Sequence, residues 1–164
     1  MRNSKLCAIA PAAAAVLIAG CGGTGGAGYG SAGGSAAPTK AATVGPTVVL
    51  TSSRFGKILT DKTGRTLYIF AADKTTKSTC YGACASLWPP LTVGGAPKAG
   101  AGVSTALLGT TKRTDGTTEV TYAGHPLYYY APDTKAGDFT GQAISQFGAS
   151  WYVITANGTE ITHA

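Results

Sequence analysis

Histidine is nearly missing: His125 and His163 are the only two in 164 residues. A zinc site built on a pair of cysteines would have to recruit both, and no Cys-x-x-Cys-His segment offers a haem attachment. Neither a Ser-His-Asp order nor a phosphate-cradling glycine loop occurs. An enzyme would have no nucleophile and no base to work with, so the chain reads as noncatalytic and without a cofactor. No long stretch carries the 3.6-residue period of an amphipathic helix, which excludes a helical bundle. The apolar run from Leu6 to Ala19 falls short of the roughly 20 residues that cross a bilayer.

That run is nevertheless informative. Arg2 and Lys5 precede it, the pattern of an export signal over residues 1–20. Leu17-Ile18-Ala19-Gly20-Cys21 then sets small residues before a cysteine, as lipoprotein processing requires: the Cys21 thiol takes a diacylglyceryl group, and cleavage makes it the new N-terminus. Two or more acyl chains hold a protein on a membrane where one is marginal. The expectation is a protein lipid-anchored to the cell membrane, outside the cytoplasm. Cys7 lies inside the discarded signal. Residues 21–46 are mostly Gly, Ala, Ser and Thr, a flexible tether whose typical reach is about 30 Å for roughly 25 residues.

Removing the signal leaves eleven of the thirteen basic residues against seven acidic ones, a net charge of about +4. Six of the eleven lie between Arg54 and Lys77, interleaved with Asp61, Asp73 and several threonines. This reads as a solvated hairpin face before it reads as a patch for an anionic surface. Nucleic acid is not an expected partner of an exported, tethered domain.

Residues 47–164 suffice for one domain with a core of its own and are too few for two ordinary ones. Short apolar runs separated by turn residues predict an all-β fold. Val48 to Ser52 and Gly56 to Thr60 read as strands, and Asp61-Lys62-Thr63-Gly64 as the turn before a returning strand, Arg65 to Phe70. Asp115-Gly116 separates Thr110 to Thr114 from Thr117 to Tyr122; Ala123-Gly124 leads into His125 to Tyr130. Asn157-Gly158 parts Trp151 to Thr155 from Thr159 to Thr162. One short helical turn is predicted around Cys80 to Leu87, stopped by Pro89-Pro90.

Gly64 to Asp73 returns sixty positions later as Gly124 to Asp133. Leu67, Tyr68, Phe70 and Asp73 match Leu127, Tyr128, Tyr130 and Asp133, so the domain should consist of two pseudo-repeated hairpin units, about 54–92 and 107–155. Alternation along a strand puts Tyr68 with Phe70 on one face and Tyr128 with Tyr130 on the equivalent face. Such rings most often fill a core with their hydroxyls reaching the surface. Two symmetric halves also offer a candidate ligand face of Tyr68, Phe70, Asp73, Tyr128, Tyr130 and Asp133, able to stack on a flat ligand or a sugar. Asp73, Asp133 and Asp138 follow their strands where an aspartate commonly accepts hydrogen bonds from its own turn.

Cys80 and Cys84 are compatible with a disulfide, a redox pair or half a metal site. Export favours pairing, and disulfide Cα atoms sit about 4.4–6.8 Å apart, which requires the bend that Gly82 and Ala83 permit. The spacing is one residue longer than the redox Cys-x-x-Cys, and no histidine or lysine adjoins either thiol. The expectation is a structural disulfide.

The Tyr-x-aromatic-x-x-Asp motif is followed in the first copy by Cys80-Tyr81-Gly82-Ala83-Cys84-Ala85 and Trp88-Pro89-Pro90-Leu91. Over about Phe55 to Ile154 the chain resembles the bacterial secreted-repeat lipoproteins. The resemblance implies an exported protein of two related units and no particular activity. The second copy departs by placing Gly141 to Ser145 where the cysteines would stand. Two functions follow: a noncatalytic binding or interaction module facing an envelope protein or the cell wall, and an envelope redox protein using Cys80 and Cys84 or a bound cofactor.

Overall fold

Turn chemistry sets the first hairpin. Thr47–Ser53 (β1) and Gly56–Asp61 (β2) pair antiparallel, from Val48 opposite Asp61 to Ser53 opposite Gly56. The Ser53 hydroxyl closes the turn by donating to Gly56 O and accepting from Phe55 N–H. The computed structural model describes residues 45–164; the signal, Cys21 and residues 22–44 of the expected tether lie outside the described residues. Gly45 and Pro46, expected at the tether's end, already bond to the domain: Gly45 N–H donates to Ala96 O, and Pro46 O accepts from Lys98 N–H.

The remaining elements are β3 (Tyr68–Phe70), α1 (Ala83–Leu87), β4 (Lys98–Ala99), β5 (Leu108–Lys112), β6 (Thr118–Tyr122), β7 (His125–Pro126), β8 (Ser145–Gln146) and β9 (Ala149–Val153). They form three small sheets, ordered β2-β1-β4, β3-β9-β8 and β5-β6-β7. The fold is all-β with one short helix. Gly82 precedes that helix at φ 57°, a conformation that glycine adopts without strain.

The two repeats share the backbone bonds at the centre of their hairpins. Leu67 N–H donates to Leu59 O, and Leu127 N–H to Val120 O, both at 3.0 Å. Leu59 N–H then donates to Ile154 O, and Val120 N–H to Leu91 O. Each hairpin therefore borrows its next neighbour from the other repeat. β3 pairs with β9, Tyr68 opposite Val153 and Phe70 opposite Trp151, while Tyr128 bridges Pro90 and Tyr129 N–H donates to Pro89 O. The two tyrosine strands meet each other as well: Tyr68 N–H donates to Tyr128 O at 2.8 Å, and Tyr128 N–H to Tyr68 O at 2.9 Å.

This exchange corrects the predicted returning strands. Arg65 to Phe70 runs back along β2 only over its first half: Asp61 N–H donates to Arg65 O, Thr66 bridges Thr60 and Leu67 N–H donates to Leu59 O, and the chain then leaves for β9. His125 to Tyr130 shortens to His125–Pro126 for the same reason. Residues Leu67 to Phe70 are buried throughout, so both faces of the strand are occupied and the partner that covers both wins. Thr159 to Thr162 is not a strand either: Glu160 bridges Ile154 and Ile161 N–H donates to Val153 O. The β8–β9 hairpin escaped prediction because Phe147, at φ 56°, stands where Asn or Gly usually signals the turn.

Alternation feeds two core clusters. Leu67, Ile69 and Leu127 join Val48, Leu59, Leu91, Val120, Tyr122 and Ile154. Tyr68, Phe70, Tyr128 and Tyr130 join Trp88, Trp151 and the cysteines. Within the second cluster four rings form a column: Phe70 on Trp151 at 4.1 Å, Trp151 on Trp88 at 4.0 Å, and Trp88 on Tyr130 at 4.2 Å between centroids. Each tryptophan thus stacks on an aromatic of the other repeat. Tyr68 meets Trp88, and Tyr128 meets Trp151, in T-shaped contacts.

Gly141 lies against this column, where a Cβ would come within 2.8 Å of Trp88 Cη2 and 3.0 Å of Tyr68 Cζ. Both rings are fully buried and have nowhere to retreat. Gly141→Ala should therefore lower stability by about 1–3 kcal/mol, the usual cost of overpacking. Denaturant unfolding checks this, and an unchanged midpoint would show that the column has slack.

Candidate functional site

The six residues of the expected ligand face come together, but in the interior. Tyr68 and Tyr128 are 0% exposed, Asp133 2%, Phe70 3%, Asp73 4% and Tyr130 9%. Phe70 and Asp73 border a surface depression, but the six form no shared face open to solvent, which corrects that expectation. The tyrosine hydroxyls do not reach the surface: Tyr68 donates to Asp133 Oδ2 at 2.5 Å, and Tyr128 donates to Asp73 Oδ2 at 2.6 Å. Each tyrosine is held by the aspartate of the other repeat. The remaining carboxylate oxygens stay at home, Asp73 Oδ1 accepting from Thr79 N–H and hydroxyl, and Asp133 Oδ1 from Thr140 N–H and hydroxyl. Burial, with the facing carboxylates adding to it, drives both phenols far above their ordinary pKa. Both phenols therefore stay protonated as hydrogen-bond donors.

Around Tyr128 the symmetry ends. Its oxygen lies 2.7 Å from Ser78 Oγ, and Ser78 accepts from Arg113 Nη1 at 2.7 Å. Arg113 has a fully buried side chain and spends its donors locally: Nη1 also reaches Glu119 Oε2, Nη2 reaches Cys80 O, and Nε reaches Asp115 Oδ2. Its guanidinium sits 4.4 Å from the Tyr81 ring centroid. Cys80 and Cys84 form a disulfide, Cα atoms 5.2 Å apart, that fixes the carbonyl on which Arg113 closes. Beside the loop of the second repeat the buried polar side chain is Gln142, accepting from Val153 N–H and donating to Ile161 O and His163 O.

A family described as a secreted repeat of unknown function matches residues 50–92 and 109–155, the two units that the exchange interlocks. The chain belongs to this family. Neither a curated protein nor a solved structure matches it. The family description places the protein outside the cytoplasm, and the matched segments run from each first strand to the end of each tryptophan segment. Cys21, the expected lipidation site, lies outside the described residues.

Beyond the repeated motif, the sequence alone did not single out Arg113, Glu119 and Gln142. A signal for one existed: a glutamate inside an alternating strand, Thr118-Glu119-Val120, needs a buried partner if that face is covered. Trp151-Tyr152-Val153-Ile154 as the counterpart of Trp88-Pro89-Pro90-Leu91 was also legible from the shared tryptophan. On the surface, two adjoining depressions of about 420 and 300 Å³ share Asp73, Lys74 and His125, with Glu160 on the rim of the larger. His163 lies elsewhere, against Phe55. Of the six clustered basic residues, Arg54 lies over Phe55 and Phe139 and Arg65 over Tyr129.

Glu119 is fully buried, and its Oε1 has no hydrogen-bond partner among the described residues. Burial pushes its carboxyl up to about 7 from an ordinary 4.5, against the pull of Arg113. The folded state then binds a proton more tightly than the unfolded chain. Between about pH 4.5 and 7 this residue makes stability fall as pH rises, because the folded state must give up that proton. Glu119→Gln should remove this contribution, so the stability difference, parent minus variant, should decline across that window. Urea midpoints taken at intervals of pH measure it; a difference that rises with pH would mean an ion pair that holds Glu119 charged.

Proposed function

We propose that the protein is a membrane-anchored lipoprotein of the cell envelope whose domain is a noncatalytic binding or interaction module. The observation that carries the reading is the interior placement of the repeated motif. Both tyrosine hydroxyls and all four oxygens of Asp73 and Asp133 are taken by one another and by their own turns. A motif so committed builds a scaffold, and work on a ligand falls to the surface. The burial of Cys80 and Cys84, 0% and 6% exposed, supports this reading over the redox one, since exchange needs a thiolate to reach a sulfur. The Leu17 to Cys21 segment and the small-residue stretch behind it support the anchor.

Cys21→Ser tests the anchor in cells. It should release the protein from the membrane fraction or leave it unprocessed, and the parent's mass should include the acyl chains. A variant that sediments with membranes as the parent does, from a parent that carries no lipid, would contradict the proposal.

A further inference from the structure

The repeat symmetry equates Leu59 with Val120. Through the hairpin registers it equates Val48 with Leu108, Leu50 with Thr110 and Ser52 with Lys112. β1 and β5 are therefore counterparts, yet their outer edges differ. β1 is covered: β4 lies parallel to it, Gly100 N–H donates to Val48 O at 2.7 Å, and Leu50 N–H donates to Ala101 O at 3.1 Å. β5 ends its sheet. Arg113 N–H donates to Thr117 O and Ala123 N–H to Leu107 O, so the odd positions face β6 and Leu108, Thr110 and Lys112 face outward. Among the described residues no backbone group pairs with the outward edge of Thr110 or Lys112, and both residues are exposed.

We infer that the outer edge of β5 is a docking site for an extended peptide of a partner protein, added as a parallel strand. It rests on the reading of the domain as an interaction module and not on the lipid anchor. Main-chain hydrogen bonds supply affinity in such strand addition, and pockets for alternate side chains supply selectivity. The chain's own Lys98-Ala99-Gly100-Ala101, seated on the equivalent strand, shows the direction and bulk that fit. Gly100 is confined there, since a Cβ would lie 2.4 Å from Val49 Cγ1. The counterpart of Val49 is Gly109, which carries no side chain to meet the incoming residue. A small branched apolar side chain fits β5 where only glycine fits β1. Lys112, at the far end, favours a carboxylate toward the C-terminal end of the incoming strand. Lysine on a bare edge otherwise discourages pairing, which makes the edge selective for acidic peptides.

The test titrates the isotope-labelled full chain with the synthetic peptide Lys-Ala-Val-Ala-Glu and follows backbone amides by NMR. Shifts and slowed hydrogen exchange should gather at Thr110 and Lys112, with Val48 and Leu50 unmoved. Thr110→Pro deletes an outward N–H that no described group uses, and should weaken binding by at least about tenfold, the effect of one lost hydrogen bond of about 1.4 kcal/mol. A peptide N-methylated at alternate residues should fail against the unaltered chain, which keeps the test decisive if Thr110→Pro does not fold. Any of four outcomes overturns the inference: no shifts; shifts at Val48 and Leu50, meaning exchange with the linker; equal binding by the N-methylated peptide; or a Thr110 amide already protected without peptide, meaning an edge filled by the chain itself. Membrane fractionation of the same protein is independent of all four and reports on the anchor alone.

Discussion

A phenol buried in a dry interior must spend its hydroxyl on a partner, and here the partner always comes from the other repeat. The Tyr68–Asp133 and Tyr128–Asp73 bonds cross the centre of the domain in opposite directions. An unmade hydrogen bond at such a site costs about 1–3 kcal/mol, so neither repeat can satisfy its own motif alone. The same exchange recurs in the backbone, where β3 takes β9, and in the rings, where Phe70 takes Trp151 and Tyr130 takes Trp88. Three kinds of interaction thus impose one condition: the halves fold together.

This condition accounts for the spacing in the motif. Tyrosine and the following aromatic share a face by alternation, which aims both at the column of tryptophans. The aspartate, just past the strand, turns back to anchor its own loop through Thr79 or Thr140 while one oxygen faces across to the partner tyrosine. Where the repeats diverge, each braces its loop differently. The first uses the disulfide and the buried Arg113, and the second uses Gln142 against the C-terminal segment. Arg113 brings the cost of a buried Glu119, since one of its oxygens goes unpaired among the described residues.

Much of this was legible in the residues. The repeat, the all-β class, the first two strands and the helical turn before Pro89-Pro90 follow from turn chemistry and local pattern, which are short-range. The pairing of β3 with β9 is not short-range: Phe70 and Trp151 lie far apart in sequence, and a strand buried on both faces shows no alternation to reveal its register. For the same reason the aromatic motif, though such rings most often fill a core, also left a groove open as an alternative. Asp73 and Asp133 bonding to their own turns was a local expectation and is what the structure shows. The tyrosines reaching across to those same carboxylates was a tertiary fact without a local signal.

The central claim is that the motif's polar groups hold the halves together instead of contacting a ligand. It is tested most directly by Tyr68→Phe and Tyr128→Phe, which remove one oxygen each and leave the ring packing in place. Equilibrium unfolding in urea should show each variant less stable by about 1–3 kcal/mol, in a single cooperative transition, because each loss strands a carboxylate oxygen in the other repeat. Variants that unfold at the parent's midpoint would contradict the account, for they would mean that the buried tyrosine–aspartate bonds contribute nothing to the union of the repeats.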